Sequence, residues 1–540
     1  SPTLSRHRRP SRPLPPDSFP ATAEETGVAS GCRLFPMPLP RLIITGASGF
    51  LGKRLLTGLK DEFAIVGLAR RSQTRCGAPR HENISWFQVD VGDPESVATA
   101  FRFVRETGGA DYVIHLAAHY DFTGEDHPEY HRTNVDGMRR VLEECRSLGL
   151  KRFIFASSVA ACRFPPAGSV LDETSPPDGD HIYAWSKRKG EELLAEFEAD
   201  VPSAIIRLAA VFSDWCEYAP LHVFLETWLS GAWNARILGG RGASAIPYLH
   251  ARELAGFMKR VIRCSADLPR RQVLIASPNH TVSHLDLYRL VDRYCGRTLG
   301  SPILMPAPLA RVGVWGRDLL GRLTGDRPFE RPWMVEYIDL ALSVNAGATH
   351  ELVGWNPRSR LYMDRRMAFI LDHRLIDPIA WTVRNRAAEK VVHLRPNLKV
   401  HRLLERHQDR IRRRFLAALV DAPDSAVRFP TAQGANPRVL EWRFTVALRH
   451  ILNSVRAQDR GLFLAYCRDV AEKRYEDEVD VVERVHRLRL VDYCAREVVR
   501  SDPEAEGLES ALYAHLTMTI EFGCDQVLEV YEDLSGEERL

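Results

Sequence analysis

Tyr183 and Lys187 are the two residues of this chain whose types and spacing point most directly to chemistry. Because they are four residues apart, they share one face if the segment is helical. A tyrosine with a pKa near ~10 is a poor acid–base group at neutral pH, but a neighbouring ammonium favours the phenolate and lowers that pKa. The pair therefore predicts proton transfer at a substrate oxygen by Tyr183. A chance surface pair is the alternative.

Ser157 and Ser158 stand at the end of an apolar segment, residues 152–155, that is typical of a buried strand. Open α/β sheets bind their ligands at the carboxyl ends of the strands. A hydroxyl at this position can therefore hydrogen-bond a substrate oxygen beside Tyr183. Either serine could instead bond the backbone where the strand ends, so these residues alone leave the choice between them open.

A glycine-rich stretch, residues 45–52, stands between a predicted strand at 41–44 and a predicted helix at 51–59. Glycines let the backbone approach a pyrophosphate, and the free N–H groups and the dipole of the helix attract it. Together with Tyr183 and Lys187, this stretch predicts an enzyme that binds a dinucleotide. We expect contacts with the cofactor from Gly46, Ser48, Gly49, Phe50, Leu51 and Gly52.

The residues after the next two predicted strands indicate which dinucleotide binds. Arg70 and Arg71 follow the strand at 64–68, where a carboxylate would accept hydrogen bonds from the ribose hydroxyls of NAD. Arginine offers a charged fork that matches a phosphate, so NADP(H) is favoured over NAD(H), with two solvated surface arginines as the alternative. Asp90 follows the third strand and is expected to accept a hydrogen bond from the adenine amino group, with Val91 beneath the ring; a helix-capping aspartate is the alternative.

Strand-like and helix-like segments alternate from residue 41 onward, which predicts an α/β fold with a doubly wound parallel sheet and helices on both of its faces. The predicted strands lie at 41–44, 64–68, 84–89, 112–116, 152–155 and 203–208, and the predicted helices at 51–59, 94–106, 127–148 and 183–198.

Across roughly residues 39–371 these motifs resemble the extended short-chain dehydrogenases/reductases, which are similar to NAD-dependent epimerases/dehydratases and have a Rossmann sheet. The resemblance implies that Tyr183 is the acid–base group and that Lys187 binds the nicotinamide ribose. The interval from Ser158 to Tyr183 is similar to that of extended members, so Ser158 is expected to orient the carbonyl. The motifs that carry the resemblance are residues 45–52, His115-Leu116-Ala117-Ala118, Asn134-Val135-Asp136-Gly137, Ser157-Ser158, and Tyr183 with Lys187. Of the second motif, the residues Leu116, Ala117 and Ala118 are expected to contact the cofactor.

The chain looks most similar to the 3β-hydroxysteroid dehydrogenase and dihydroflavonol reductase branch. We therefore expect it to interconvert a ketone or aldehyde and an alcohol on a hydrophobic, steroid-, lipid- or polyketide-like molecule. One alternative is an NAD-dependent nucleotide-sugar epimerase or dehydratase, with Arg236 or Arg241 binding the diphosphate; another is a dinucleotide-binding redox sensor. The aromatic residues expected to line an apolar substrate pocket are Tyr120, Phe122, Phe212 and Trp215, with ordinary core positions as the alternative.

Four regions are predicted along the chain. Residues 1–38, rich in Pro, Arg and Ser, are expected to be a disordered extension, with Met37 as the native start. Residues 39–378 are expected to form the reductase domain, with a substrate subdomain at about 209–375. Residues 379–540 show only helical periodicity and predict an α-helical bundle, which loosely resembles the sensor domain of stressosome co-antagonist proteins.

Composition limits the remaining classes of function. A net charge of +3 on 540 residues gives no reason to expect nucleic acid as a partner. Ten cysteines without a CxxC pair predict reduced thiols in a cytoplasm, and no histidine pair has metal-ligand spacing, so no metal is expected. The segment 311–323 mixes apolar residues with arginines and predicts a helix packed on the domain, or else one in peripheral contact with a membrane. A homodimer is expected by analogy with the family.

Overall fold

The computed structural model describes residues 39–230, 232–324, 327–378, 380–385, 396–420, 428–433 and 435–536. The predicted disordered extension, including Met37, lies outside the described residues.

The predicted doubly wound sheet is confirmed. Within the described residues seven parallel strands stand in the order β10-β6-β5-β4-β1-β2-β3, and the order reverses beside β1 and β4. This reversal opens a crevice at the carboxyl ends of the two strands, where such sheets bind ligands. The strands are β1 Arg41–Thr45, β2 Ala64–Ala69, β3 Ile84–Gln88, β4 Tyr112–His115, β5 Arg152–Ser158, β6 Ser203–Leu208 and β10 Arg271–Ala276.

Helices cover both faces of this sheet, whose central strands are apolar on both sides. Leu42 and Ile44 of β1 belong to one buried cluster and Ile43 to another, as the alternation of side chains along a strand requires. The helices of this part of the chain are α1 Phe50–Leu59, α2 Gln73–Cys76, α3 Pro94–Glu106, α4 Gly137–Cys145, α5 Ile182–Glu196 and α7 Ala251–Arg263.

One predicted helix differs from the structure. The segment 127–148 was expected to be a single α-helix, but Tyr130–Asp136 is a π-helix that leads into α4. Asn134 lies within it and bonds both a neighbouring loop and α5. Wide turns of this kind often occur at functional sites.

The predicted substrate subdomain is not continuous in the chain. Its central part, α7 and β10, belongs to the main sheet: Leu254 and Phe257 pack in the same cluster as β1, and β10 pairs with β6. The remainder forms two small sheets and a group of helices beside the crevice. These elements are β7 Ala210–Phe212, β8 Ile237–Gly239, β9 Ala245–His250, β11 Thr281–Ser283, β12 Ile303–Met305, α6 Ala219–Leu229, α8 His284–Tyr294, α9 Ala307–Thr324, α10 Gly347–Val353 and α11 Met363–Ile376.

The described residues from 396 to 536 are helical and are called the helical domain below. The apolar positions that give this region its helical periodicity are buried in one core, which includes Leu440, Ile451, Val485 and Val498. The predicted start at 379 differs from the packing, because Trp381 is buried among residues of the substrate subdomain. The α-helices are α12 Pro396–Arg406, α13 Gln408–Val420, α14 Pro437–Ala457, α15 Gly461–Glu476, α16 Val481–Arg500, α17 Glu509–Leu512 and α18 Met518–Ser535.

Candidate active site

Helix α5 brings Tyr183 and Lys187 to the carboxyl end of β5. His181 caps the helix, with its Nδ1 accepting a hydrogen bond from the Ala184 N–H at 3.3 Å. The Lys187 ammonium donates to the Ala156 carbonyl at 2.6 Å and lies 5.7 Å from the centre of the Tyr183 ring. The two residues therefore share one face of the helix and point into the crevice, as their spacing predicts.

Burial governs the protonation of this pair. It raises the pKa of Tyr183 to about 12, although a hydrogen bond with Ser158 opposes the change. It lowers the pKa of Lys187 to about 8, opposed by the negative charge of Glu191. The expected lowering of the tyrosine pKa is therefore not present in the protein alone, because desolvation of the phenolate outweighs the hydrogen bond with Ser158. A further positive charge beside the phenol is needed to lower its pKa towards neutral.

The two serines differ in what they contact. Ser157 is buried, and its hydroxyl donates to the Glu191 carboxylate at 2.6 Å. Ser158 hydrogen-bonds Tyr183 and also accepts a hydrogen bond from the Ala160 N–H at 3.1 Å. Only Ser158 is therefore placed to share a substrate oxygen with Tyr183.

A buried ion pair beneath the site was missed by the sequence analysis. The Glu191 carboxylate binds the guanidinium of Arg207 at 2.8 Å, and both side chains are almost fully buried. Glu191 follows Lys187 by one helical turn, and Arg207 interrupts the otherwise apolar strand β6. A charged residue within such a strand is the signal that could have indicated the pair, since buried charges are nearly always paired.

Asn134 joins the loop after β4 to the helix that carries Tyr183. Its carbonyl oxygen accepts from the His119 N–H at 2.6 Å, and its amide donates to the His119 carbonyl at 2.9 Å and to the Ser186 hydroxyl at 3.0 Å. These three bonds hold the loop after β4 against helix α5.

The glycine-rich loop has the geometry of a pyrophosphate cradle. Gly46 has a φ of +68°, and a Cβ at this position would lie 2.8 Å from the backbone nitrogen of Ala117. Helix α1 begins after Gly49 with no side-chain cap and no acidic residue in its first turn, so its N–H groups and dipole are suited to an anion. Arg71 lies across the loop and donates to the Ser48 carbonyl at 2.8 Å.

The residues after β4 complete this part of the crevice. The N–H groups of Leu116 and Ala117 each lie 3.2 Å from the Thr45 hydroxyl, which holds the two loops together. Leu116 and Ala118 line the large cavity described below, together with Phe50 and Leu51. The pyrophosphate and nicotinamide ends of a dinucleotide therefore fit the residues present.

The adenosine end differs from the prediction. Asp90, expected to bind adenine, is buried and forms an ion pair with Arg456 of the helical domain. Burial opposes ionisation of Asp90, but the charges of Arg456, Arg132 and Arg70 lower its pKa. Val91 is buried in the core, where a Cβ added at Gly137 would meet its side chain at 3.0 Å. In this arrangement the adenosine end is occupied by side chains of the helical domain.

A cavity of about 700 Å³ leads from Tyr183 and Ser158 into the substrate subdomain. Tyr120 and Phe122 line it as predicted, and the Tyr120 ring packs on Tyr183 with centroids 4.0 Å apart. Most of its further walls are apolar or aromatic, with contributions from Phe164, Tyr218, Phe224, Trp228, Phe329, Trp333, Met334 and Ile338.

The other two predicted pocket residues lie elsewhere. Phe212 is completely buried in the subdomain core, edge-on to His250, and Trp215 packs against His373. Phe212 is therefore a core position and Trp215 is half-buried outside the cavity, whereas Ala210 and Val211 of β7 do line the cavity. The two arginines suggested for a diphosphate are also absent from the cavity wall: Arg236 donates to the Ser301 carbonyl at 2.6 Å, and the Arg241 side chain is 83% exposed.

Helix α9 lies between the cavity and solvent. Ala310, Gly313, Val314 and Arg317 face the cavity. Its opposite face carries apolar side chains that are between 59% and 79% exposed, namely Leu309, Val312, Trp315, Leu319, Leu320 and Leu323. None of the helices in the described ranges has the length and apolarity to cross a bilayer. Those same ranges also contain no cluster of three or more histidine, cysteine or acidic side chains arranged for a metal ion.

Comparison with known proteins identifies the family. Residues 42–276 match the model of the NAD dependent epimerase/dehydratase family. Over 197 residues the chain is 32% identical to uronate dehydrogenase of Pseudomonas putida, which covers 36% of this chain and 68% of the relative. The chain belongs to the NAD-dependent epimerase/dehydratase family.

Relatives within this family differ in their named substrates. The chain is 26% identical over 291 residues to the N-acetyl-alpha-D-glucosaminyl-diphospho-ditrans,octacis-undecaprenol 4-epimerase of Escherichia coli O157:H7, covering 53% of this chain and 81% of the relative. It is 29% identical over 164 residues to the 3 beta-hydroxysteroid dehydrogenase/Delta 5-->4-isomerase of Monkeypox virus, covering 28% of this chain and 44% of that protein. The chain is thus an enzyme of a family that includes dehydrogenases and epimerases for small molecules.

Proposed function

We propose that this family member is an NADP(H)-dependent oxidoreductase that interconverts a ketone or aldehyde and an alcohol on a hydrophobic molecule. The observation that carries the proposal is the large, mainly apolar cavity that ends at Tyr183 and Ser158. Ligand pockets are usually apolar with a few polar groups that orient the reacting atom. Here those polar groups are the two hydroxyls and the ammonium of Lys187.

The protein's own groups would manage the proton and the substrate oxygen. The bound nicotinamide would supply or accept hydride. Ser158 donates a hydrogen bond that orients the carbonyl oxygen, and Tyr183 donates the proton that the alkoxide requires. Lys187 stands beside the phenol with a pKa of about 8, so it can carry positive charge at neutral pH while its burial keeps water away. The packed Tyr120 ring closes the substrate side of the phenol.

The preference for NADP(H) is supported by the arginines after β2. Arg71 lies over the glycine loop, and the described residues contain no carboxylate of the sheet domain directly after this strand. With Asp459 of the helical domain displaced from Ser72, a 2′-phosphate would meet the guanidinium of Arg71 rather than an acidic side chain. Parallel fluorescence titrations with NADPH and NADH test this proposal. Binding of NADPH at least ten-fold tighter (~1.4 kcal/mol) supports it, and equal or tighter binding of NADH contradicts it.

Peripheral contact with a membrane is part of this proposal. An exposed apolar face that includes Trp315 and Leu319 lies on the same helix that lines the cavity, and the arginines of this helix outnumber its single acidic residue. Such a helix can lie in the interface of an anionic bilayer and admit a lipid-soluble substrate. Flotation with vesicles of phosphatidylcholine and phosphatidylglycerol tests this, with the triple variant Trp315→Ser, Leu319→Ser and Leu323→Ser. Trp442→Ser, which removes an exposed tryptophan of the helical domain, is the matched control.

We expect the triple variant to lose most of its vesicle binding and the control to retain it. Equal binding of both variants, or no binding by the unaltered chain, contradicts the membrane contact. A homodimer through α4 and α5 remains a prediction that light scattering can test.

A second candidate function is epimerisation of a lipid-linked sugar. The E. coli relative is named for a substrate with a diphosphate on a polyprenol, and Arg317 and Arg331 line the present cavity. Both arginines are already engaged, however, since Arg331 contacts Asp318 at 3.3 Å and Arg317 contacts Glu330 at 3.5 Å. Net oxidation of added NADPH by a ketone distinguishes the candidates, because an epimerase returns the hydride and consumes no cofactor.

A further inference from the structure

The adenosine end of the dinucleotide site is covered by the helical domain. The carboxyl ends of β2 and β3, where this fold receives adenosine, face the carboxyl-terminal end of α14. Only about 10 Å³ of space remains between them, which is about the room of a single water molecule. Its walls are Arg70, Gln88, Val89 and Asp90 on one side and Asn453, Ser454, Ala457, Asp459 and Leu462 on the other.

Arg456 is the central contact. Its side chain is fully buried and hydrogen-bonds the carboxylates of Asp90 and Glu129 and the hydroxyl of Thr133. The other oxygen of Asp90 accepts from the Gly92 N–H at 3.0 Å. The Asp90 carboxylate, which was predicted to bind the adenine amino group, therefore has protein partners at both of its oxygens.

A second contact lies at the loop after β2, where the adenosine ribose would sit. The Ser72 N–H donates to the Asp459 carboxylate, whose other oxygen accepts from the Gly461 N–H at 2.9 Å. Asp459 thus occupies, from the helical domain, the place of the carboxylate that is missing after β2. Around this centre Asn453 contacts Asp93 at 3.3 Å.

The described contacts between the helical domain and the sheet domain are mainly polar, whereas the interior of each domain is apolar. The core of the helical domain contains only residues between 400 and 530, and none of them belongs to the clusters of the sheet domain. Polar interfaces between domains permit relative motion more readily than apolar ones. Charged groups released by separation, such as Asp90 and Arg456, can be solvated or can bind a polar ligand.

We propose that the helical domain acts as a latch on the dinucleotide site. While Arg456 is bound to Asp90 and Glu129, its side chain excludes adenosine from the site. When Arg456 withdraws from these two carboxylates, adenosine can bind. The inference rests on the proposed function, since it requires the glycine loop to bind a dinucleotide. Latch closure and cofactor binding then compete for one surface. Any event that holds the helical domain away raises cofactor affinity, and the cofactor favours the open arrangement to the same degree.

The test uses the full chain and the variant Arg456→Met, which keeps a long side chain and removes its charge. The probes are NADPH and ADP-ribose, which contain adenosine, and reduced nicotinamide mononucleotide, which does not. We expect Arg456→Met to bind both adenosine-containing probes at least ten-fold tighter and the mononucleotide with unchanged affinity. The matched control is Arg449→Met on the same helix, whose ion pair with Glu95 is exposed, and it should change neither affinity.

A second measurement tests the latch without any substitution. Hydrogen exchange of the unaltered chain should become faster at Ser72 and at the end of α14 when ADP-ribose is added. If Arg456→Met does not fold, this result alone supports or refutes the latch.

Three results would overturn the latch. These are equal or weaker binding of ADP-ribose by Arg456→Met, slower exchange at Ser72 on adding ADP-ribose, and no binding of ADP-ribose by either chain. Binding of reduced nicotinamide mononucleotide distinguishes failure of the latch from failure of the proposed function. Normal mononucleotide binding leaves the nicotinamide site intact, whereas its absence removes the proposed function itself.

Discussion

Replacing Lys187 by methionine should stabilise the folded chain at pH 7 while abolishing turnover. The ammonium is buried, and its pKa falls from 10.5 to about 8. At ~1.36 kcal/mol for each pKa unit, holding the charged form in the folded state costs about 3 kcal/mol below pH 8. The variant loses the hydrogen bond to the Ala156 carbonyl, worth ~1 kcal/mol. The free energy of unfolding should therefore rise by about 2 kcal/mol at pH 7.

The stabilisation by Lys187→Met should depend on pH. Between pH 8 and 10.5 the unfolded lysine keeps its proton while the folded one has released it, so the unfolded state binds more protons. The stability of the unaltered chain then increases with pH, and that of the variant does not share this increase. The advantage of Lys187→Met should shrink as the pH rises from 7 to about 9.5.

Calorimetric melting of both chains at the two pH values measures this difference. Lys189→Met is the control, because Lys189 lies on the same helix and its ion pair with Glu192 is exposed. The control should change the melting temperature little at either pH. A lower melting temperature for Lys187→Met at pH 7, or an advantage that does not depend on pH, would refute the account of the buried ammonium.

The remaining predictions concern the serines and the glycine loop. Ser158→Ala should lower kcat by roughly 10²-fold with little loss of stability, whereas Ser157→Ala should leave the bond to Glu191 unmade and lower the melting temperature; the reverse pattern would exchange the two roles. Gly46→Ala should weaken cofactor binding, because its Cβ would meet backbone atoms of the loop after β4. Gly149→Ala is its control: φ is +62° and no atom lies within 4 Å, so it should lower stability by ~1 kcal/mol without changing cofactor affinity. Equal loss of affinity in both would contradict the cradle.

Much of the sheet domain was predictable because its signals are local. Buried parallel strands are nearly continuous apolar runs, and those at 64–68 and 203–208 were placed within one residue of their observed bounds. The same holds for Tyr183 and Lys187, whose relation depends only on helical periodicity. The choice between two adjacent serines depended on which one faces Glu191, and that follows from the twist and register of β5 against α5.

The features that were not predicted depend on contacts between distant segments. Arg456 and Asp90 are separated by 366 residues, and nothing in the sequence around either residue indicates the other as its partner. The π-helix at Tyr130–Asp136 accompanies the three bonds of Asn134 rather than any local propensity. Phe212 and Trp215 are aromatic, as pocket residues often are, but Phe212 is buried in the core of the subdomain and Trp215 packs against His373.

The measurement that tests the central claim most directly follows NADPH oxidation by the unaltered chain and by Tyr183→Phe, with a panel of hydrophobic ketones and aldehydes. NADPH affinity is measured in parallel by fluorescence. We predict turnover by the unaltered chain and a loss of roughly 10²- to 10⁴-fold in the variant, with NADPH affinity preserved. Equal rates in the two chains, or no oxidation of NADPH by any member of the panel, would contradict proton transfer by Tyr183 to a hydrophobic carbonyl substrate.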